Sequence, residues 1–166
     1  MNRPFIVIMG VSGCGKTTIA SQLAHSLNGA YLEGDSFHPA ANKAKMGQGI
    51  PLNDDDRWPW FDIIIATAKD TLTTGQTPIL SCSALKQIHR DYLFKSFDDY
   101  RLVFLKGSYE LIKSRMDARD HEYMTSDLLQ SQFATLEEPG ASKNLLTISI
   151  EKSPGEILRE ILEWLE

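Results

Sequence analysis

Short apolar runs rich in β-branched residues alternate along this chain with longer stretches whose apolar positions recur at helical spacing. The first run, "PFIVIM" at 4–9, has no polar alternation, as expected of a strand buried on both faces. Further runs at 30–33 ("AYLE"), 77–83 ("TPILSCS"), 100–107 ("YRLVFLKG") and 145–150 ("LLTISI") predict four more strands. Between and after them, 18–27, 54–73, 85–97, 108–118, 125–136 and 154–166 carry helical patterns. In 54–73 the pattern makes Asp54 a candidate cap and Ile63, Ile64, Ala68 and Leu72 candidate core contacts, while Pro154 suits the first turn of the last helix.

Strands alternating with helices predict a three-layer α/β fold, a five-stranded parallel sheet flanked by helices. The chain has 166 residues, enough for one domain and one core, and no repeat, low-complexity tract or linker divides it. Two segments break the pattern. Residues 34–60 are long, polar and shaped by glycines and prolines, and "RDHEY" at 119–123 interrupts two helices. Both are expected as mobile elements, a flap over about 34–60 and a lid over about 117–124.

A composition of 42% hydrophobic and 23% charged residues is that of an ordinary globular chain. The net charge of −5 argues against a nucleic-acid surface, and no apolar run is long enough to cross a membrane. Two cysteines, Cys14 and Cys82, make no disulfide framework, so a reducing cytoplasm is the expected compartment.

The decisive motif is "GVSGCGKT", Gly10 to Thr17, which satisfies G-x-x-x-x-G-K-[ST] between a predicted strand and a predicted helix. Glycines let the backbone wrap phosphates, and the helix N-terminus adds donors and positive potential. Lys16 is positioned for the β/γ-phosphates of a nucleoside triphosphate, and the Thr17 hydroxyl for Mg²⁺. Cys14 is read as a small residue that fits the loop.

No N-K-x-D pattern for guanine is present, and neither 77–83 nor 100–107 ends in the aspartate that large ATPases use. The nearest acids are Glu33 and Asp35, an arrangement that suits phosphoryl transfer to a small molecule, with Asp35 accepting the hydroxyl proton. Beyond Asp35, the flap mixes imidazole, amide, ammonium and carboxylate groups. Lys45 and Arg57 are candidates for neutralising a substrate carboxylate. Lys86 and Arg90, four apart after a strand end, are expected to share a helix face and wall the acceptor pocket. Arg115 and Arg119 are expected at the lid to close over the transferring phosphoryl group, with a purely structural role left open for one of the two. His25 and His89 are read as ordinary, and Trp58 and Trp60 as packing the flap onto the core.

Six segments together resemble the small P-loop gluconokinases. They are "GVSGCGKTT" (10–18), "GDSFHP" (34–39), "NKAKMGQGIPLNDDDRWPW" (42–60), "CSALKQIHRD" (82–91), "FLKGSYELIKSRMDAR" (104–119) and "SQFATLEEPGA" (131–141). The resemblance spans about residues 4–150, and the block from His38 to Trp60 is its most specific part. It implies a P-loop kinase fold and transfer of the ATP γ-phosphate to the 6-hydroxyl of D-gluconate, with a homodimer as the expected assembly. It places ATP–Mg²⁺ on Gly10, Ser12, Gly13, Cys14, Gly15, Lys16, Thr17 and Thr18 with Arg115, and Mg²⁺ on Thr17. Gluconate is implied between Asp35, His38, Lys45, Arg57, Lys86 and Arg90, with Lys16, Asp35 and Arg119 catalytic. Adenine contacts are expected from the lid and the segment 139–145. Two positions depart from the family pattern: Glu122 stands where a lid histidine is expected, and Glu33 where an aspartate is common. Read from the residues alone, a kinase for another small polyol acid such as shikimate stays open, as does a nucleotide-dependent sensor.

Overall fold

The structure is a computed structural model that describes residues 2–118 and 126–166, with Ser126 described in its backbone only. Five strands, β1 (Phe5–Met9), β2 (Ala30–Glu33), β3 (Pro78–Ser81), β4 (Tyr100–Lys106) and β5 (Leu145–Ser149), form one parallel sheet in the order β2-β3-β1-β4-β5. Among the described residues seven α-helices accompany them: α1 (Lys16–Leu27), α2 (Ala40–Gly47), α3 (Asp54–Thr73), α4 (Gln87–Phe94), α5 (Tyr109–Ala118), α6 (Ser126–Thr135) and α7 (Pro154–Leu165).

β1 explains why the sheet needs two covers. Ile6 and Ile8 join one cluster with Ile19 and Leu23 of α1, Ile112 of α5 and Ile161 of α7. Phe5, Val7 and Met9 point the other way, into a cluster with Phe61 and Ile64 of α3 and Leu93 of α4. All five residues are fully buried, so the continuous apolar run is a central strand with helices on both sides. β1 pairs in parallel with β3 and β4, which brings the ends of three strands to the edge where the phosphate loop begins.

Several local expectations change. Asn53, not Asp54, caps α3: its side chain accepts from the Asp56 N–H while the Asp56 carboxylate accepts from the Asn53 N–H. This frees the Asp54 carboxylate for other partners. Ile64 and Ala68 are buried, but Ile63 is 41% exposed because the inward stripe runs through Phe61, Ile64, Ile65 and Ala68. The segment 34–60 is largely helical. A 3₁₀ turn (Gly34–Phe37) leads into α2, and the last residues of the segment are the opening turns of α3. Helix α2 escaped the periodicity because Asn42 is its only buried residue. Pro154 lies in the first turn of α7, as its sequence suggested, and Ser153 caps the helix.

Candidate active site

The phosphate loop turns between β1 and α1 on positive φ angles that only glycine adopts without strain. Gly13 has φ +83°, and a Cβ there would meet Met116 of α5 at 3.0 Å. The Lys16 ammonium donates to the carbonyls of Gly10 (2.9 Å) and Val11 (3.1 Å), which holds it inside the loop. Cys14 is buried beneath, and burial pushes its thiol pKa up. The thiol is therefore a packing element of the loop, as its small size suggested.

A cleft of about 280 Å³ opens above the loop. Ser12, Gly13, Gly15, Lys16, Thr17 and Thr18 line one side, and Glu33, Asp35, Ser81, Cys82 and Ser83 line the other. Asp35 stands exposed on the 3₁₀ turn after β2. That turn is pinned from two directions. A Cβ at Gly34 would meet the Ser81 carbonyl at 2.6 Å, and the Gly34 carbonyl accepts the indole N–H of Trp60 at 2.7 Å. The chemistry of the cleft is a cationic phosphate cradle facing two carboxylates. Cys82, fully buried with its pKa pushed up to about 12 by burial, still feels the charges of Lys16, Asp35 and Arg57. Lys16 and Asp35 line the same cleft as Cys82.

The residues expected on the acceptor side form a second tier. The Asp54 Oδ1 atom faces three donors: His89 Nε2 at 2.9 Å, Arg57 at 3.3 Å and Lys86 at 3.5 Å. Its pKa is lowered first by the His89 hydrogen bond and then by the Lys86 charge. His89 is itself held below its ordinary value by burial. The two directions agree if a neutral imidazole donates Nε2–H to the carboxylate. Lys45 pairs with Asp56 at 2.7 Å, and this bond lowers the Asp56 pKa. His38 is 8% exposed, stacked on Trp60 at 4.0 Å and bonded through Nδ1 to Asn42 at 3.2 Å. Asn42 also donates to the Asp56 carbonyl, which joins α2 to α3. Burial lowers the His38 pKa, against the nearby Asp35 charge.

A family model described as an AAA domain matches residues 5–139. The thermoresistant gluconokinase of Escherichia coli (strain K12) is 39% identical over 158 residues, covering 95% of this chain and 90% of that protein. The gluconokinase of Gluconobacter oxydans (strain 621H) is 39% identical over 95% of this chain and 89% of its own. The crystal structure of a gluconokinase from Sinorhizobium meliloti 1021 matches with a TM-score of 0.87 at 39% identity, over 99% of this chain and 92% of that one. The chain belongs to the gluconokinase family. It is thereby a P-loop kinase, of a class that uses ATP, typically with Mg²⁺.

Against that family assignment, the placement of individual residues differs from expectation in three ways. Arg90 does not share a face with Lys86. Lys86 precedes α4 as its N-cap residue, whereas Arg90 is 2% exposed and committed to the carbonyls of Ala84 and Glu137 and to the Gln87 side chain. Its Nη1 and Nη2 groups are occupied by these protein partners. Arg115 donates to the Ile150 carbonyl at 2.6 Å, which ties α5 to the turn after β5. Segment 139–144 runs from the C-terminal edge of the sheet, where Glu138 pairs with Lys106 at 2.8 Å, to the start of β5, where Leu145 pairs with Leu102, so only its last residues lie away from the strand ends that carry the phosphate loop. Arg119, His121 and Glu122, and with them most of the expected lid, lie outside the described residues. His89, read as ordinary from sequence, is the donor nearest to Asp54. No local spacing marks it, because Lys86 precedes α4 and Asp54 is 35 residues away.

Proposed function

We propose that the protein transfers the γ-phosphate of ATP to the 6-hydroxyl of D-gluconate, with residues 1–166 acting as one kinase domain. The observation that carries this reading is the single cleft with Lys16 and Thr17 on one wall and Asp35 on the other, backed by the cations gathered at Asp54. The names of the E. coli, G. oxydans and S. meliloti relatives support the substrate. Asp35 accepts the proton of the attacking hydroxyl. The oxygen bonds to the γ-phosphorus, and the bond to the ADP oxygen breaks. Lys16 leaves its loop carbonyls to meet the phosphate oxygens. The donor set fits Mg²⁺: the Thr17 hydroxyl, exposed at the cleft, faces the carboxylates of Glu33 and Asp35, all hard oxygen ligands. When bound, Mg²⁺ neutralises charge that develops on the phosphates. Arg57, Lys86 and Lys45 hold the gluconate carboxylate and hydroxyls, and His38 supports them by fixing Trp60.

Two buried free thiols suit a reducing compartment, and we assign the protein to the cytoplasm on that basis. No helix among the described residues is long and apolar enough to cross a membrane. The test is ADP release with ATP and Mg²⁺, without acceptor and with gluconate, shikimate, glycerate or AMP in turn. Gluconate-dependent release is expected. Release with another acceptor moves the substrate, and binding of ATP and gluconate without any release returns the chain to a sensor.

A further inference from the structure

Helix α6 and the residues just after it touch both halves of the proposed site. Near its end Gln132 holds the phosphate loop with its whole amide: its Oε1 accepts the Ser12 N–H at 2.7 Å and its Nε2 donates to the Ser12 hydroxyl at 2.9 Å. These residues are 120 positions apart, so the contact is made only by the fold. Just past the helix, Glu137 holds the acceptor wall. Its N–H donates to the Leu85 carbonyl at 2.8 Å, and its carboxylate accepts the Gln87 N–H at 3.1 Å. Arg90 then clasps the Glu137 and Ala84 carbonyls, each at 2.7 Å.

Two features of this clasp are costly unless they serve geometry. Arg90 is a buried guanidinium whose pKa is lowered by desolvation, and burying such a charge costs several kcal/mol before compensation. Ala84 is a non-glycine residue at φ +45°, a backbone state that side chains disfavour. The residue two places on is Lys86, which reaches Asp54. The strained turn is therefore what aims the acceptor wall, and Arg90 is what holds the turn.

We propose that Gln132, Glu137 and Arg90 form a bracket that sets the spacing between the phosphate loop and the Lys86–His89 wall, and hence between the γ-phosphate and its acceptor. They are positioning residues, acting through Ser12, Leu85 and Ala84. The proposal rests on the kinase reading above. A bracket is broken by cutting either end, so its signature is non-additivity between residues that do not touch the same partner.

The test is a double-mutant cycle with Gln132→Ala and Arg90→Lys, which keeps the charge but removes the fork that bridges the Ala84 and Glu137 carbonyls, read as gluconate-dependent kcat and as affinity for a non-hydrolysable ATP analogue. Each single change is expected to lower kcat by about 10- to 100-fold, the scale of an ångström-level misplacement. The double variant is expected to lie within about twofold of the worse single, and analogue affinity to change less than about threefold. Multiplying losses, unchanged kcat, or analogue affinity falling in step with kcat overturns the bracket. If Gln132→Ala does not fold, Ser12→Ala cuts the hydroxyl contact from the loop side. Amide hydrogen exchange separates this proposal from the substrate assignment, because it needs no acceptor. Gln132→Ala should speed exchange in residues 82–90, which it does not contact, and acceleration confined to the phosphate loop overturns the proposal. Absence of gluconate-dependent release in the unaltered protein, with exchange coupling intact, refutes only the substrate.

Discussion

Replacing Trp60 with Phe tests whether the turn carrying Asp35 is held by one buried hydrogen bond. Trp60 is 8% exposed, its ring stacks on His38 and Phe61, and its indole N–H reaches the Gly34 carbonyl at 2.7 Å. Phenylalanine keeps the stacking and the helix but removes the donor. The Gly34 carbonyl is then orphaned in a buried setting, at a cost of about 1–3 kcal/mol. Loss of roughly 40 Å² of buried ring adds about 1 kcal/mol. At about 2–4 °C per kcal/mol for a chain of this size, the melting temperature should fall by roughly 5–15 °C. Scanning calorimetry measures it, since the substitution itself alters tryptophan fluorescence. The same change should lower gluconate-dependent kcat about tenfold or more, because Asp35 follows the released carbonyl. Trp58→Phe is the internal control: Trp58 is half-buried against Tyr92 and Phe61, and its replacement should cost only lost area, about 1 kcal/mol. A Trp60→Phe protein that melts within about 2 °C of the parent, or no lower than Trp58→Phe, would refute the pinning argument.

Three other expectations follow from the same geometry. Asp35→Ala should lower kcat by about 10²- to 10⁴-fold with little change in ATP affinity, and an unchanged kcat would mean that the proton leaves by another route. Arg57→Ala should raise the KM for gluconate about tenfold or more while leaving ATP affinity within about threefold. Equal loss of both affinities would count against an acceptor-side role. Stability should fall on acidification in two stages. His38, facing Asp35, Arg57 and Lys43, and His89, facing Asp54, Arg57 and Lys86, are held below their ordinary 6.5 by burial, so the unfolded chain binds their protons first and stability declines as pH drops through about 6.5. Asp54 and Asp56, lowered from 3.8 by their partners, contribute stability that is lost only as pH falls below that value. His89→Gln keeps an amide donor for Asp54 and should shallow the first stage. A melting temperature flat between pH 7 and 5 would contradict the burial of both imidazoles.

The nucleotide half of the site was legible in the sequence because its parts are contiguous. Gly10 to Thr18 is one turn between one strand and one helix, and the loop's geometry dictates its residue types. The strands were equally plain, since a sheet covered on both faces writes itself as unbroken apolar runs such as "FIVIM". Helix α2 was not legible because polar bonds hold it: Asn42 to the Asp56 carbonyl and Lys45 to the Asp56 carboxylate. Arg90 misled for a related reason. Spacing of four implies a shared face only when both residues are helical, and Lys86 is not. Gln132 had no local signal, because its partner is in the first loop of the chain.

The acceptor half has a charge logic that spacing could not reveal. The run Asp54-Asp55-Asp56 sits in the first turn of α3, where the helix dipole favours carboxylates. From that turn Asp54 meets Arg57, Lys86 and His89, and Asp56 meets Lys45. The cations proposed to hold the sugar acid are thus stationed against carboxylates already stabilised by their helix. A net charge of −5 and a site for an anionic substrate are compatible for this reason. The cations need not create a basic surface, because each is held in place by an acid that stays ionised. What remains for discrimination is the arrangement of donors around Asp54. On the proposed reading, a small carboxylate carrying several hydroxyls meets donors and acceptors together there.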